Sequence, residues 1–240
     1  VLIKRFLKQE KRKDFQMGLT KKWDIERTWG SNQPTLKGVT EIIKPGYAVE
    51  CGGGFFSTPI LRKNADCLLT IEHDQFWVKE MKQKYPSSDK HKYAVRAIQK
   101  VTNSTPIEDI SNMAIKDIKG FYEGLVHPND SIDFLFVDTF RACRVLSALI
   151  LAPKSEIVAI HDVRPASREH YQFYKLDEMF KDWIRYEHRP VGFINKVHKI
   201  AWTAVYSRKP LNLDLINPIV KKDSERLWNQ SIGLEEINGS

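Results

Sequence analysis

The sequence predicts an α/β architecture: a mostly parallel sheet with helices on both faces. Three observations carry this. From residue 36 onward, short apolar runs alternate with longer amphipathic stretches, the pattern of parallel strands joined by right-handed crossover helices. The runs are continuously apolar, as suits strands covered on both faces. Helix-start signals follow the runs: Thr58-Pro59, Asp74 and Ser104-Thr105-Pro106.

The elements follow in order. Residues 1–29 read as a basic helical arm in which Leu2, Ile3, Phe6 and Leu7 share one face. Tyr47–Cys51 is the first strand and ends in glycines. Cys67–Ile71 is the second, Tyr93–Ile98 a weaker third, Ile132–Val137 a fourth and Ile157–Ile160 a fifth. A further strand lies within Trp183–Asn195, and Ala201–Tyr206 comes last. Helices are predicted over 36–44, 58–64, 74–85, 106–124, 140–151 and 166–182, with Asp74 capping the helix that carries Val78 and Met81. Residues 208–240 are polar, carry Pro210 and Pro218, and read as a tail packed on the domain or partly disordered. The predicted organisation is arm 1–29, domain 30–207 and tail 208–240.

Composition narrows the function. The 240 residues suit one α/β domain or at most two small ones, and 42% hydrophobic content is enough for a sizeable core. Cys51, Cys67 and Cys143 are too few and too dispersed for a disulfide framework, and no CxxC pair suggests structural zinc. No apolar run approaches the ~18 residues of a membrane helix. The chain starts at Val1, so a piece of a longer polypeptide or a trimmed chain is expected. The net charge is +8; eight bases and two acids in residues 1–22 supply +6 of it, leaving +2 for the other 218 residues. The basic character belongs to the arm, whereas a nucleic-acid binder would carry it on the fold itself. The arm is a candidate for docking on other domains, phosphates or a membrane surface.

The most informative stretch is Glu50-Cys51-Gly52-Gly53-Gly54-Phe55-Phe56-Ser57-Thr58-Pro59. A strand runs into three glycines and then a helix, whose N-terminus offers unpaired N–H groups. Eighteen residues after Gly54 the second strand ends at Glu72, placed to accept both hydroxyls of a ribose. NAD binding is the first rival. Two details oppose it: Ser57 stands at the third glycine position, and Glu50 would set a carboxylate near a pyrophosphate. A cationic ligand is favoured by that charge.

Glu50-x-Gly52-x-Gly54-x-x-Ser57 resembles the first motif of class I S-adenosylmethionine-dependent methyltransferases, and Thr70-Ile71-Glu72-His73-Asp74 resembles their second. The resemblance spans about residues 36–207. It implies a Rossmann-like three-layer α/β/α sandwich with a mostly parallel seven-stranded sheet. It also implies that Glu50, Gly52 and Gly54 hold the methionine end of the cofactor and Glu72 the ribose, with Gly53, Ser57 and His73 among the cofactor-binding residues.

The fourth strand ends at Asp138 and the fifth at His161-Asp162, both facing the crevice of the glycine loop. Two carboxylates are a donor set for Mg²⁺, and His161 is a candidate general base. This resembles the metal-dependent small-molecule O-methyltransferases of the catechol and macrolide-sugar types, in which Asp138 and Asp162 would hold Mg²⁺. His161 departs from the acid expected there, and Arg141 from a histidine. Arg141 either holds an anionic group of the substrate or pairs with Asp138. The metal-free alternative has Asp138 orienting the acceptor and Asp162 holding the tautomer of His161. Phe55, Phe56, Phe76 and Trp77 read either as a cofactor wall or as core, and Tyr171, Phe173 and Tyr174 either as an acceptor pocket or as core.

The function expected is O-methylation of a sugar, glycan or other small molecule, in the cytoplasm. Methylation of RNA and a non-catalytic cofactor-binding or assembly role are the alternatives. No GxSxG or GxxxxGK[ST] supports another chemistry, and Cys51 reads as a small buried residue.

Overall fold

A computed structural model describes residues 33–96, 122, 124–126, 130–139, 143–188, 193–194, 198–199 and 202–231. The arm 1–29, the cap at 104–106, most of the helix expected over 106–124, and Arg141 lie outside the described residues.

The chain enters through α1 (Gln33–Ile43) and runs into β1 (Tyr47–Cys51), α2 (Ser57–Asn64), β2 (Cys67–Glu72), α3 (Gln75–Lys84) and β3 (His91–Val95). After the crossover come β4 (Ile132–Val137), α4 (Cys143–Leu151) and β5 (Ser155–His161). Two short helices follow, α5 (Pro165–His170) and α6 (Asp177–Phe180), then β6 (Ile184–His188), β7 (Phe193–Ile194), β8 (His198–Lys199), β9 (Thr203–Ser207) and α7 (Leu213–Ser231). Seven strands form one sheet in the order β3-β2-β1-β4-β5-β9-β6. The pairs among β1 to β5 are parallel, and β9 runs antiparallel to both β5 and β6. The three-layer, mostly parallel sandwich expected from the sequence is the observed one.

Strand alternation sorts the side chains into two cores. Val49, Cys51, Leu135, Val137, Val158 and Ile160 share one core with Leu146 and Ala148 of α4 and with Phe173 and Phe180. Ala48, Leu68, Phe134, Phe136 and Ala159 share the other with Leu36 and Val39 of α1, Leu61 of α2, and Ile216 and Val220 of α7. Continued toward the strand ends, the second alternation carries Glu50, Thr70, Glu72, Asp138 and His161. The register holds these ends level: Glu50 pairs with Thr70 and Phe136, Val137 with Ile160, and His161 with Thr203.

Several expectations need correction. The third strand begins at His91 and ends at Val95, two residues before the expected Tyr93 start, because it must align Leu68 with His91 to pair with β2. The helix expected over 166–182 is broken into α5, a 3₁₀ turn at Phe173–Leu176 and α6. Gln172 adopts a left-handed conformation (φ 58°), which interrupts the helix and lets Phe173, Leu176 and Phe180 all reach the core. Thr58 is not the cap of α2: Phe56 is, with no side-chain hydrogen bond, and Thr58 sits inside the first turn. Asp74 does cap α3, accepting from the backbone N–H groups of Phe76 and Trp77. Within 208–240, residues 213–231 form α7, with Pro218 inside the helix. Its Ile216 and Val220 are fully buried against α1.

Candidate active site

Parallel strands end on one edge, so the C-terminal ends of β1, β2, β4 and β5 share a crevice. The order reverses around β1, which pairs with β2 on one side and β4 on the other, and α/β sheets bind ligands at such switch points.

The three glycines have separate reasons. Gly52 has φ +87°, and a Cβ there would stand 2.5 Å from the Asp138 carbonyl oxygen. A Cβ on Gly53 would meet Thr70 Cγ2 at 2.6 Å and Met81 Sδ at 3.0 Å. Both are demanded by the protein's own packing. A Cβ on Gly54 would approach only Ser57 Oγ (3.3 Å) and Phe56 N (4.0 Å), so this backbone lies open for close approach. The contact at Gly52, with a hydrogen bond from Asp138 N–H to the Cys51 carbonyl (2.8 Å), sets the glycine loop directly against the end of β4.

Glu50 has no exposed surface. Its Oε1 accepts from Ser57 Oγ (2.6 Å), and its Oε2 accepts from Thr58 Oγ1 and Thr70 Oγ1 (2.7 Å each). Thr58 Oγ1 in turn accepts from Gly54 N–H at 3.1 Å. The carboxylate therefore ties β1, β2 and the first turn of α2 beneath the loop, and presents to a ligand a charge and a shaped loop rather than a free oxygen. Burial lifts its pKa to about 7, against hydrogen bonds from Ser57, Thr58 and Thr70 that favour the charged form. Because Thr70 gives its proton to Glu50, it accepts from Nε2 of the buried His91 (3.0 Å). Burial and Arg62 push that imidazole down to about 4. Sequence reading missed the roles of Thr58, Thr70 and His91: the β1–β2 pairing sets Thr70 beside Glu50, the β2–β3 pairing brings His91 to Thr70, and the first turn of α2 delivers Thr58.

Glu72 lies on the other side of the loop, 4% exposed. Its Oε2 accepts from Gly53 N–H (3.1 Å), and its Oε1 from the N–H groups of His73 (2.7 Å) and Asp74 (3.1 Å). His73 Nδ1 stands 2.6 Å from Oε1. Burial opposes charge on His73, but Glu72 and Asp74 outweigh it and its pKa is raised. Trp77 Nε1–H donates to the Gly53 carbonyl (2.7 Å), and its ring meets Phe55 edge-on at 4.8 Å. Trp77 and Phe55 thus wall the loop, Phe76 is 76% exposed, and Phe56 is core.

Asp138, His161 and Asp162 come together, and Arg144 from the first turn of α4 joins them. Its Nη2 donates to Asp138 Oδ1 (2.9 Å), Nη1 to Asp162 Oδ2 (3.0 Å) and Nε to the Thr139 carbonyl (2.8 Å). Its guanidinium lies over the Tyr171 ring, 4.6 Å from the centroid. Arg164 Nη2 donates to Asp162 Oδ1 at 3.1 Å. Asp162 adopts φ 69°, an uncommon conformation for a residue other than glycine, and both arginines hold it there. His161 is 7% exposed, with Nε2 3.9 Å from Asp138 Oδ2 and Nδ1 3.3 Å from Thr203 Oγ1. Burial lowers the His161 pKa, against the pull of Asp138 and Asp162. Burial raises the Asp138 pKa against the pull of His161 and Arg144. At Asp162 burial also raises, but His161, Arg144 and Arg164 prevail and the pKa is lowered.

The Mg²⁺ expectation for Asp138 and Asp162 does not fit this donor set. A guanidinium already bridges the two carboxylates, and Arg164 takes the remaining oxygen of Asp162. Among the described residues, no group of three or more His, Cys, Asp or Glu is arranged to hold a metal ion. The residues do fit an adenosine-bearing cation: an open backbone at Gly54, a buried carboxylate at each side of the loop, and an aromatic wall. Arg144 had a readable signal, as a base one turn into the helix after the fourth-strand acid. Tyr171 was one of the expected pocket aromatics, whereas Thr203 had no signal. Of the other candidate pocket aromatics, Phe173 is core and Tyr174 is 43% exposed.

The architecture is that of the class I methyltransferase fold, seven strands in one sheet with the last of them along the chain, β9, inserted antiparallel between β5 and β6. The solved structures it is similar to include the cofactor-bound Rv0187 from MTB, with a TM-score of 0.50 at 12% identity over 76% of this chain and 83% of the other. The O-methyltransferase from Bacillus cereus in complex with SAH has the same TM-score and identity, over 75% and 83%. At that identity the likeness is one of fold. No family model and no curated protein matches the sequence.

Proposed function

We propose that this chain is an S-adenosylmethionine-dependent O-methyltransferase acting on a hydroxyl of a sugar, glycan or other small molecule. The observation that carries the reading is the pair of buried carboxylates, Glu50 and Glu72, at the ends of adjacent parallel strands on either side of Gly52–Gly54. In this reading the backbone at Gly54 takes the methionine end under the field of Glu50. Glu72 takes the ribose hydroxyls, with His73 beside it.

S-adenosylmethionine supplies a methyl group that its sulfonium already makes electrophilic. The protein's tasks are alignment and the removal of one proton. Alignment alone accounts for ~7–11 kcal/mol in favourable intramolecular models. A neutral His161 that donates Nδ1–H to Thr203 has its Nε2 lone pair directed toward the crevice and takes the acceptor's hydroxyl proton. Asp138 Oδ2, 3.9 Å away, stabilises the imidazolium that results. A positioned base contributes ~10²–10⁴-fold.

The experiment is calorimetry at pH 8, where Glu50 is ionised, with the donor and with S-adenosylhomocysteine. Both should bind the wild-type chain. Glu50→Gln keeps the loop's shape and removes its charge, so it should weaken the sulfonium donor more than the neutral thioether. Equal losses would refute the electrostatic role of Glu50, and no binding of either would refute the reading.

One observation favours a second acceptor class, RNA. Phe76 and Trp77 are exposed beside the loop, and Lys84 lies within 5.7 Å of the Phe55 and Tyr85 ring centroids, an aromatic and basic edge of the kind on which bases stack.

A further inference from the structure

We propose that Arg144 is a built-in replacement for a divalent cation: it bridges Asp138 and Asp162, makes the site metal-independent, and aims one free carboxylate oxygen at the acceptor. The role at the acceptor rests on the function proposed above; the exclusion of metal does not.

The two carboxylates close the neighbouring strands β4 and β5, where acid side chains repel one another unless a cation lies between them. Here the cation is covalently part of the chain. Arg144 spends its fork on both acids, its Nε on the Thr139 carbonyl, and one face of its guanidinium on Tyr171. A planar fork with this many fixed partners has one geometry, whereas a lysine would offer a mobile point charge. Side-chain exposure at Arg144 is 11%, so the ion pairs are shielded from solvent. With Arg164 counted, two arginines balance two acids. A divalent ion would enter a cluster already balanced, and would have to displace hydrogen-bonded donors to find ligands.

The arrangement also divides labour between the acids. Asp162 has both oxygens engaged, Oδ1 by Arg164 and Oδ2 by Arg144, with the Tyr171 hydroxyl 3.5 Å from Oδ2. It therefore supports the cluster. Asp138 has Oδ1 engaged by Arg144, while Oδ2 faces only His161 among the described residues, at 3.9 Å. Arg144 is thus a positioning residue, and Asp138 Oδ2 with His161 Nε2 is the pair it turns toward the acceptor.

Mn²⁺ serves as the probe, titrated into the full chain after chelator treatment and followed by the electron paramagnetic resonance of the free ion. The wild-type chain should show no saturable uptake up to about 1 mM, the weak end of carboxylate cation sites. Arg144→Met keeps the apolar stem and frees both acids, so it should take up one Mn²⁺ per chain, and adding Asp162→Asn should abolish that uptake. Arg144→Lys keeps a charge between the acids and should stay without Mn²⁺. Saturable uptake by the wild type that Asp138→Asn removes would overturn the proposal, and this result stands even if Arg144→Met does not fold. A folded Arg144→Met that takes up no Mn²⁺ would overturn it as well. S-adenosylhomocysteine calorimetry on the same samples separates the two claims: its failure would remove the proposed function and leave the Mn²⁺ results to decide the role of Arg144.

Discussion

At Glu72 a single carboxylate meets three backbone N–H groups and one imidazole. If the ribose binds there, Glu72→Ala should weaken S-adenosylhomocysteine about 10–100-fold, the worth of one or two hydrogen bonds to a charged acceptor. Undiminished affinity by calorimetry would place the ribose elsewhere. Glu50 makes a prediction about pH. Burial lifts its folded pKa to about 7 from an ordinary 4.5. Between those values the folded chain keeps a proton that the unfolded chain has released, so this residue's contribution to stability falls as pH rises through the window and levels off above it. His91, held at about 4, acts in the opposite sense between about 4 and 6.5. Comparing Glu50→Gln with the wild type cancels the shared histidine contribution. The variant should gain in relative Tm from pH 5 to pH 8, by the equivalent of about 2–3 kcal/mol; a flat difference would mean that Glu50 is ionised throughout. The acids at the loop were legible in the sequence because their residue types and spacing are distinctive. Of the hydroxyls that seal Glu50, Ser57 was legible from its place in the glycine motif, but the contacts of Thr58 and Thr70 were not, because threonine carries no such signal until the helix turn and the β1–β2 pairing bring it within 3 Å.

Among the elements, the docking of α7 on α1 is the feature whose form sequence patterning left most open. Residues 208–240 were expected to pack on the domain or to be partly disordered; residues 213–231 pack as a 19-residue helix that accommodates Pro218 and buries Ile216 and Val220. The helices approach at Gly38, where a Cβ would stand 2.5 Å from Val220 Cγ2 and 3.2 Å from the Ile216 carbonyl. Gly38→Ala should destabilise the fold by about 1–3 kcal/mol through overpacking. Adding Val220→Ala should cost less than the sum of the two single changes; strict additivity in denaturant unfolding would mean the helices do not meet there. The break at Gln172 gives a second test. In a continuous helix a glycine there would cost ~1 kcal/mol, whereas in the left-handed turn Gln172→Gly should leave Tm unchanged or raise it. The amphipathic period over 166–182 was real, but the local sequence carries no mark of the turn, because the gain from burying Phe173, Leu176 and Phe180 together is tertiary.

For the whole molecule, the charge distribution decides between acceptor classes. Residues 1–22 hold +6 of the +8. Removing them should leave S-adenosylhomocysteine affinity unchanged while abolishing most salt-dependent binding to single-stranded RNA. RNA affinity with an unaltered salt slope in the shortened chain would favour the aromatic edge at Phe76 and Trp77 as the acceptor surface. No helix among the described residues is long and apolar enough to cross a membrane. The amino-acid sequence by itself determined the layered α/β fold, the position of the glycine loop and the strand-end acids, because alternation, apolar runs and residue type are local properties. Only the tertiary structure decided what those acids face. Glu50 is sealed by three hydroxyls and Asp138 is bridged to Asp162 by Arg144, since such partners lie on separate strands and helices and meet only when the sheet sets its register.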